Sequence, residues 1–383
     1  MTPSASSMRQ RGQVRPVAVV SFAQSKSVRR EDHRNEVEML MPVVAEVFAD
    51  IGLTKDDMGF VCSGSSDYLV GAPFSFVTAL DAVGAWPPMR ESHVEMDGAW
   101  ALYESWTLLQ EGELDTALVY SFGRSSPSDV RRVLSLQLDP YYMAPLWPDP
   151  VALAALQAQA LIDAGKATEN DFAAVASRSR RDALANPNAQ VAKNQSVAEI
   201  IDDEYIVAPL RRHALPPVTD SAAAIVLAAG DRARTLVERP AWITGIAHRM
   251  ETHALGARDL TASTSTSAAA VAAGLVNGVD TPLATPEVDV AELHAPFAHQ
   301  ELILRDALQL SDDVTVNPSG GALAANALMV AGLIRIGEAA ARVMRGDARR
   351  AVAHATSGPC LQQNLVCVLE AEPGVLDGDQ RGP

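Results

Sequence analysis

Residues 98–120, GAWALYESWTLLQEGELDTALVY, decide the fold class. Residues 98–110 read as a helix closed by Glu111-Gly112-Glu113, and 116–120 follow as a buried strand, since nearly every residue there is apolar or β-branched. A helix that turns at a glycine into a buried strand belongs to layered α/β architecture. Outward from this stretch the same alternation recurs. Residues 15–22 (RPVAVVSF) read as the first strand, 36–51 as a helix stopped at Gly52, 60–62 as a short strand and 222–228 as the strand that closes the set. After Arg239-Pro240 the pattern begins again. It predicts strands over 241–246 and 288–293, helices over 267–275 and 298–308, a long Ala-rich helix over 322–345, and strands over 350–353 and 365–369. Two successive α/β halves imply a pseudo-symmetric duplication, although no repeat is visible at any short period. The expected division is a disordered leader at 1–14, a first half at 15–238 with an irregular insertion at about 126–217, a second half at 239–372 and a flexible tail at 373–383.

Composition narrows the function classes. The chain has 383 residues, 48% of them hydrophobic, which is enough for one large core or two modest ones. Its 31 basic and 47 acidic residues leave a formal charge of −16, an unfavourable surface for nucleic acid, whose phosphates need clustered Lys and Arg. No apolar run approaches the roughly 20 residues of a membrane helix, and residues 1–15 lack the apolar stretch of a secretory signal. A cytoplasmic protein without membrane association is expected. Cys62, Cys360 and Cys367 suit a reducing compartment, and no Cys/His cluster has zinc spacing, so no metal is expected. The one dense basic run holds Arg178, Arg180 and Arg181, and reads either as a solvated helix face or as a site for a phosphorylated ligand.

Four segments combine glycine or histidine with a strand end, where α/β enzymes place reactive groups. In Val94-Glu95-Met96-Asp97-Gly98-Ala99, Asp97 is either a helix N-cap or a group presented at a helix N-terminus. Glu292-Leu293-His294-Ala295-Pro296-Phe297-Ala298-His299 puts His294 at a strand end, a candidate for acid–base work, and His299 inside the next helix. Val316-Asn317-Pro318-Ser319-Gly320-Gly321-Ala322 offers Asn317 and a glycine pair through which backbone can approach a ligand. His354-Ala355-Thr356-Ser357-Gly358-Pro359-Cys360 reads as a loop that supplies an imidazole and a thiol. A free thiol is also a small apolar core residue.

Taken in order, these segments resemble the thiolase superfamily, most closely its sterol-carrier-protein-like, lipid-transfer branch, from about Arg15 to Glu372. The resemblance rests on Gly112-Glu113-Leu114-Asp115-Thr116-Ala117-Leu118-Val119, on Val218-Thr219-Asp220-Ser221-Ala222-Ala223-Ala224, and on Val316-Asn317-Pro318-Ser319-Gly320-Gly321-Ala322. The middle motif looks like the family's P-[VF]-[ST]-D-G-A-A-A with Ser221 in place of glycine. The chain departs from the family where chemistry is concerned. Met96-Asp97-Gly98-Ala99 stands where a thiolase carries its nucleophilic cysteine, and Ala324-Ala325-Asn326-Ala327 where the G-H-P histidine is due. Without that thiolate there is no covalent capture, so ordinary thiolysis is rejected. His294-Ala295-Pro296-Phe297 matches the branch's H-D-C-F histidine, and His354 the histidine of its C-terminal H-N-x-G loop.

The resemblance implies two α/β halves in a five-layer α/β/α/β/α arrangement, usually as a homodimer. Cysteine-less relatives of this branch act as retro-aldolases on steroid side chains, cleaving a β-hydroxyacyl-CoA into a ketone or aldehyde and a shorter acyl-CoA. They work with a small OB-fold partner that carries a zinc ribbon, and with an acyl-CoA hydratase. No cofactor is implied beyond the CoA of the substrate, whose phosphates are expected at Arg178, Arg180 and Arg181. His294 is then expected as the base for the β-hydroxyl and His354 as the group handling the enolate proton, with the roles exchangeable. A non-catalytic subunit that binds acyl-CoA or scaffolds a partner, and an acyltransferase using Cys360, stand as the alternatives. A Schiff-base aldolase lacks a lysine after Lys193, and a metal-dependent one would need Glu292, His294 and His299 to converge.

Overall fold

Ten strands pair into one continuous sheet whose two halves have the same topology. The computed structural model describes residues 14–276 and 287–373; but for Val14 and Pro373, the leader expected at 1–14 and the tail expected at 373–383 lie outside the described residues. The first half supplies β1 (Val17–Gln24), β2 (Phe60–Gly64), β3 (Glu91–Val94), β4 (Thr116–Arg124), a small separate hairpin of β5 (Tyr205–Val207) and β6 (Leu210–Arg211), and β7 (Asp220–Ala229). The second supplies β8 (Ala241–Met250), β9 (Val290–Leu293), β10 (Thr315–Val316), β11 (Arg350–Ser357) and β12 (Gln363–Glu370). The order is β10-β9-β11-β12-β8-β1-β7-β4-β2-β3. Numbered within its own half, each set of five runs first, fifth, fourth, second, third, with the first three of these antiparallel and the remaining pairings parallel. The halves join through β1 and β8, antiparallel, with Ala18 opposite Trp242.

Strand alternation separates the layers. In β7 the side chains of Ala223, Ile225 and Leu227 enter one core, and those of Ala222, Ala224 and Val226 another. The second of these is covered by the helix Glu36–Ile51 through Leu40, Val43 and Val47. That helix has the bounds its sequence predicts, because Asn35 and Glu38 close a capping box at its start and Gly52, at φ 64°, stops it. The shared central core takes Leu102 and Leu109 of the helix Gly98–Gln110 and Leu333 and Ile336 of the helix Ala331–Arg345. Gly337 lets that second helix lie on β1, since a Cβ there would overlap the Phe22 ring. Beyond the second half-sheet, Val352, Val366 and Val368 meet Ala269 and Ala270 of the helix Thr264–Ala272. The layers are therefore helix, half-sheet, two central helices, half-sheet, helix.

Two expectations change. The helix expected over 322–345 is broken: Gly321–Ala324 is one turn, Ala325 is extended, Met329 is left-handed at φ 76°, and a new helix starts at Ala331. Alanine propensity favours continuity by only tenths of a kcal/mol per residue. The break is held by long-range hydrogen bonds, including those from Gly98 N–H (2.8 Å) and the Ser121 hydroxyl to Met329 O. The strand expected to end at 353 runs on to Ser357, because β11 and β12 stay in register through Ser357 opposite Gln363. His354 therefore lies inside the sheet and not in a loop.

Candidate active site

The break in the Ala-rich helix opens onto a cavity of about 350 Å³. Its walls are mainly apolar, with Val130, Leu134, Leu138 and Val151 from the insertion and Leu215 to Val218 from the approach to β7. Polar groups gather at the buried end: Asp97, Thr219, His294, Asn326 and Thr356. A largely apolar cavity with a few convergent polar groups is the usual form of a small-molecule site. Among the described residues, no helix is long and apolar enough to cross a membrane.

Asp97 combines both of its sequence readings. As the N-cap of helix 98–110 it accepts a hydrogen bond from Ala99 N–H at 2.9 Å. Its carboxylate also accepts from Gly332 N–H at 2.8 Å and Leu333 N–H at 3.0 Å, at the start of helix 331–345. One buried anion thus caps both central helices, where their dipoles present positive ends. Gly332 is required for this approach, because a Cβ there would stand 2.6 Å from Asp97 Oδ1.

His294 is set by the end of β9. Its backbone N–H donates to His354 O at 3.1 Å, and its Nδ1 faces Thr356 N–H at 3.4 Å. With Nδ1 as acceptor the ring proton sits on Nε2, 2.9 Å from Asn326 Oδ1. Burial lowers the His294 pKa, against the opposing attraction of Asp97, so the ring is neutral. Asn326 is anchored in turn by Thr219, whose hydroxyl oxygen accepts from Asn326 N–H at 3.1 Å.

The remaining expected residues take other places. His354 is fully buried behind the cavity wall, does not line the cavity, and places Nε2 3.1 Å from Asn364 Oδ1. His299 likewise stands outside the cavity, with Nε2 3.1 Å from Gln157 Oε1. Asn317 is a clamp: Oδ1 accepts from Leu293 N–H at 2.6 Å and Nδ2 donates to Glu301 at 2.9 Å. Gly320 and Gly321, at φ 93° and 61°, shape the turn beside it. Glu292 is bound by Arg335 at 2.8 Å and by Ser319, so Glu292, His294 and His299 have separate partners. Arg178 pairs with buried Glu301 at 2.5 Å, Arg181 is exposed beside Asp182, and Arg180 is buried; none of the three lines the cavity. Arg131 does line it and pairs with Asp149, and Arg132 lines a second pocket that shares Arg131.

Asn326, Thr219 and Thr356 are the site residues that sequence reasoning passed over. An amide inside an alanine run was the available signal for Asn326, and the motif Val218-Thr219-Asp220 for Thr219. Asp220 itself ties the insertion down, accepting from Ser126 N–H at 3.0 Å and from Glu31 N–H at 2.9 Å.

Two predictions arise from buried groups. Cys360 lines the cavity, but burial pushes its thiol up to about 12 and its Sγ donates to Leu153 O. Almost no thiolate exists near pH 8, so iodoacetamide will label Cys360 far more slowly than a free cysteine. Mass spectrometry of the labelled native protein measures this, and rapid labelling would contradict it. Burial also lowers His299 and His354 to about 3. Both rings stay neutral in the folded protein and take up a proton in the unfolded chain below about pH 6.5. Stability is therefore full above pH 6.5 and falls towards pH 3, by up to roughly 1.4 kcal/mol per pH unit for each ring. Urea midpoints at pH 7 and pH 5 will differ accordingly, and His299→Gln will reduce the difference.

The arrangement of strands and central helices is shared with known proteins. No protein-family model matches the chain. Human mitochondrial 3-ketoacyl-CoA thiolase superposes with a TM-score of 0.74 over 94% of this chain and 99% of its own, at 14% identity. The fold is thiolase-like. The Ltp2–ChsH2(DUF35) aldolase superposes with a TM-score of 0.73 over 93% of this chain and 98% of its own, at 18% identity. In sequence, the acetyl-CoA acetyltransferase of Methanothermobacter thermautotrophicus is 27% identical over 173 residues, 40% of this chain. The chain spans 44% of the length of that curated relative.

Proposed function

We propose that the protein is a carbon–carbon lyase that cleaves a β-hydroxyacyl-CoA by retro-aldol chemistry, with a steroid side-chain thioester as the substrate. The observation that carries this reading is the buried end of the cavity, where the Asp97 carboxylate, in the turn that by resemblance replaces a thiolase's nucleophile, stands with a neutral imidazole and an amide. Three N–H groups occupy three of the roughly four lone-pair sites of the Asp97 carboxylate, leaving one for the substrate hydroxyl. In this reading Asp97 takes the β-hydroxyl proton and the hydroxyl oxygen becomes the carbonyl of the departing ketone or aldehyde. The Cα–Cβ bond pair passes into the thioester enolate. His294 Nε2–H turns from Asn326 Oδ1 to the enolate oxygen, which the Asn326 amide N–H groups also hold, and Asp97 returns the proton to Cα. Charge moves from carboxylate to enolate without a net change, and fixed donors to the enolate form the larger catalytic term. Thus His294 serves as a donor in place of the base expected for it, and His354 as a group packed behind it.

The apolar walls favour a bulky apolar acyl group, and the lipid-transfer resemblance favours a steroid. The aldolase similarity supports the reaction class and a small partner protein; that this partner is an OB-fold protein, that the chain is a homodimer and that it works in the cytoplasm belong to the proposal. The test is incubation with β-hydroxyacyl-CoA thioesters, alone and with such a partner, followed by mass spectrometry. A shorter acyl-CoA with a matching ketone or aldehyde is expected. Because Asp97 is heavily engaged by backbone, a second reading has support: a non-catalytic acyl-CoA-binding subunit. Tight acyl-CoA binding with no turnover under any condition would select it.

A further inference from the structure

Arg178 and Arg180 sit two positions apart in the helix Glu169–Asp182 and therefore point to different sides of it. Arg178 is neutralised by Glu301. Arg180 is only 6% exposed, and among the described residues its guanidinium makes no hydrogen bond and no ion pair; its Nε is buried without a partner. A buried unpaired charge is costly, and natural proteins keep one where something else supplies the counter-charge. The surroundings of Arg180 carry more positive charge. Arg180 O accepts from Lys193 N–H at 3.1 Å, which brings Lys193 alongside, and the turn Arg212–Ala214 packs against the same helix. In that turn His213 has a buried Nδ1 without a partner, and the charges of Arg180, Lys193 and Arg212 all oppose its protonation. The carboxylate nearby is Asp203, 3.7 Å from His213 Nε2, and it does not pair with Arg180.

We propose that Arg180, with Lys193, Arg212 and His213, forms a binding pocket for a phosphate group. Exposed guanidinium and ammonium groups beside a buried, unpaired guanidinium match phosphate oxygens, and such charge-assisted bonds are the strong ones. The turn runs directly into Leu215 to Val218, which line the cavity, so a ligand could reach from one to the other. If the proposed function holds, the phosphate is one carried by CoA; this assignment of its source rests on that reading, whereas the anion pocket does not.

The experiment is thermal unfolding of the full chain with inorganic phosphate, pyrophosphate, CoA or pantetheine, for wild type and Arg180→Met. Methionine retains much of the apolar stem and removes the charge. Without ligand, Arg180→Met will melt higher than wild type, because an unpaired charge is removed. Phosphate or pyrophosphate will raise the wild-type Tm by about 2 °C or more, and that rise will vanish in the variant. A rise with CoA, absent with pantetheine and lost in Arg180→Met, assigns the phosphate to CoA. A rise with phosphate or pyrophosphate but none with CoA keeps the pocket and sets aside its link to the proposed function. A lower ligand-free Tm in the variant, or equal phosphate-induced rises in both proteins, would overturn the proposal.

Discussion

Asp97→Ala will lower the stability of the protein by about 3–5 kcal/mol, a loss expected when a buried charged hydrogen-bond partner is removed. Three N–H groups, those of Ala99, Gly332 and Leu333, lose their acceptor at once. They belong to the first turns of the two central helices, where no carbonyl of the same helix can replace the carboxylate. The loss also removes the anion that both helix dipoles face. Asp97→Asn will fall between wild type and alanine, since its amide keeps one accepting oxygen and turns a donor towards N–H groups. Urea unfolding of the three proteins measures the series. An Asp97→Ala protein as stable as wild type would show that the two helix starts are satisfied in another way. Turnover, if the proposed chemistry is right, vanishes in both variants, but the stability measurement stands independently of it.

His294→Ala and Asn326→Ala will each lower kcat by about 10²–10³, the scale of losing one donor to a developing oxyanion. Both residues are held from outside the substrate, the His294 ring by Thr356 N–H and the Asn326 backbone N–H by the Thr219 hydroxyl. Since they also touch one another at 2.9 Å, the double variant will lose less than the product of the single losses. Acyl-CoA affinity should change little, because the apolar walls remain. Steady-state kinetics with a separate binding titration check this. Full turnover in His294→Ala would remove the donor pair from the mechanism and favour the non-catalytic reading.

Much of the framework was legible from local pattern. The helices at 36–51 and 98–110 have the bounds their sequences predict, because cap, apolar stripe and stop signal all lie within a few residues of one another. The buried strands β4 and β7 announce themselves by composition, and the restart after Pro240 shows the second half. That the turn Met96-Asp97-Gly98-Ala99 holds no cysteine is likewise a fact of sequence, and it underlies the expectation that thiolase-type acylation does not occur. What the tertiary structure decided is the site. Local propensity continues the Ala-rich helix through 325–330, yet acceptors and donors contributed by Gly98, Ser121 and Asp97, more than 200 residues away, hold it open. That opening brings Asn326 to His294. Pairing with β12 draws His354 into the sheet and away from the cavity. Periodicity and capping act over a turn or two of chain, so a sequence displays them directly. Hydrogen bonds between distant segments depend on which strands become neighbours, and in this protein those bonds, more than any helix propensity, determine which polar groups meet at the buried end of the cavity.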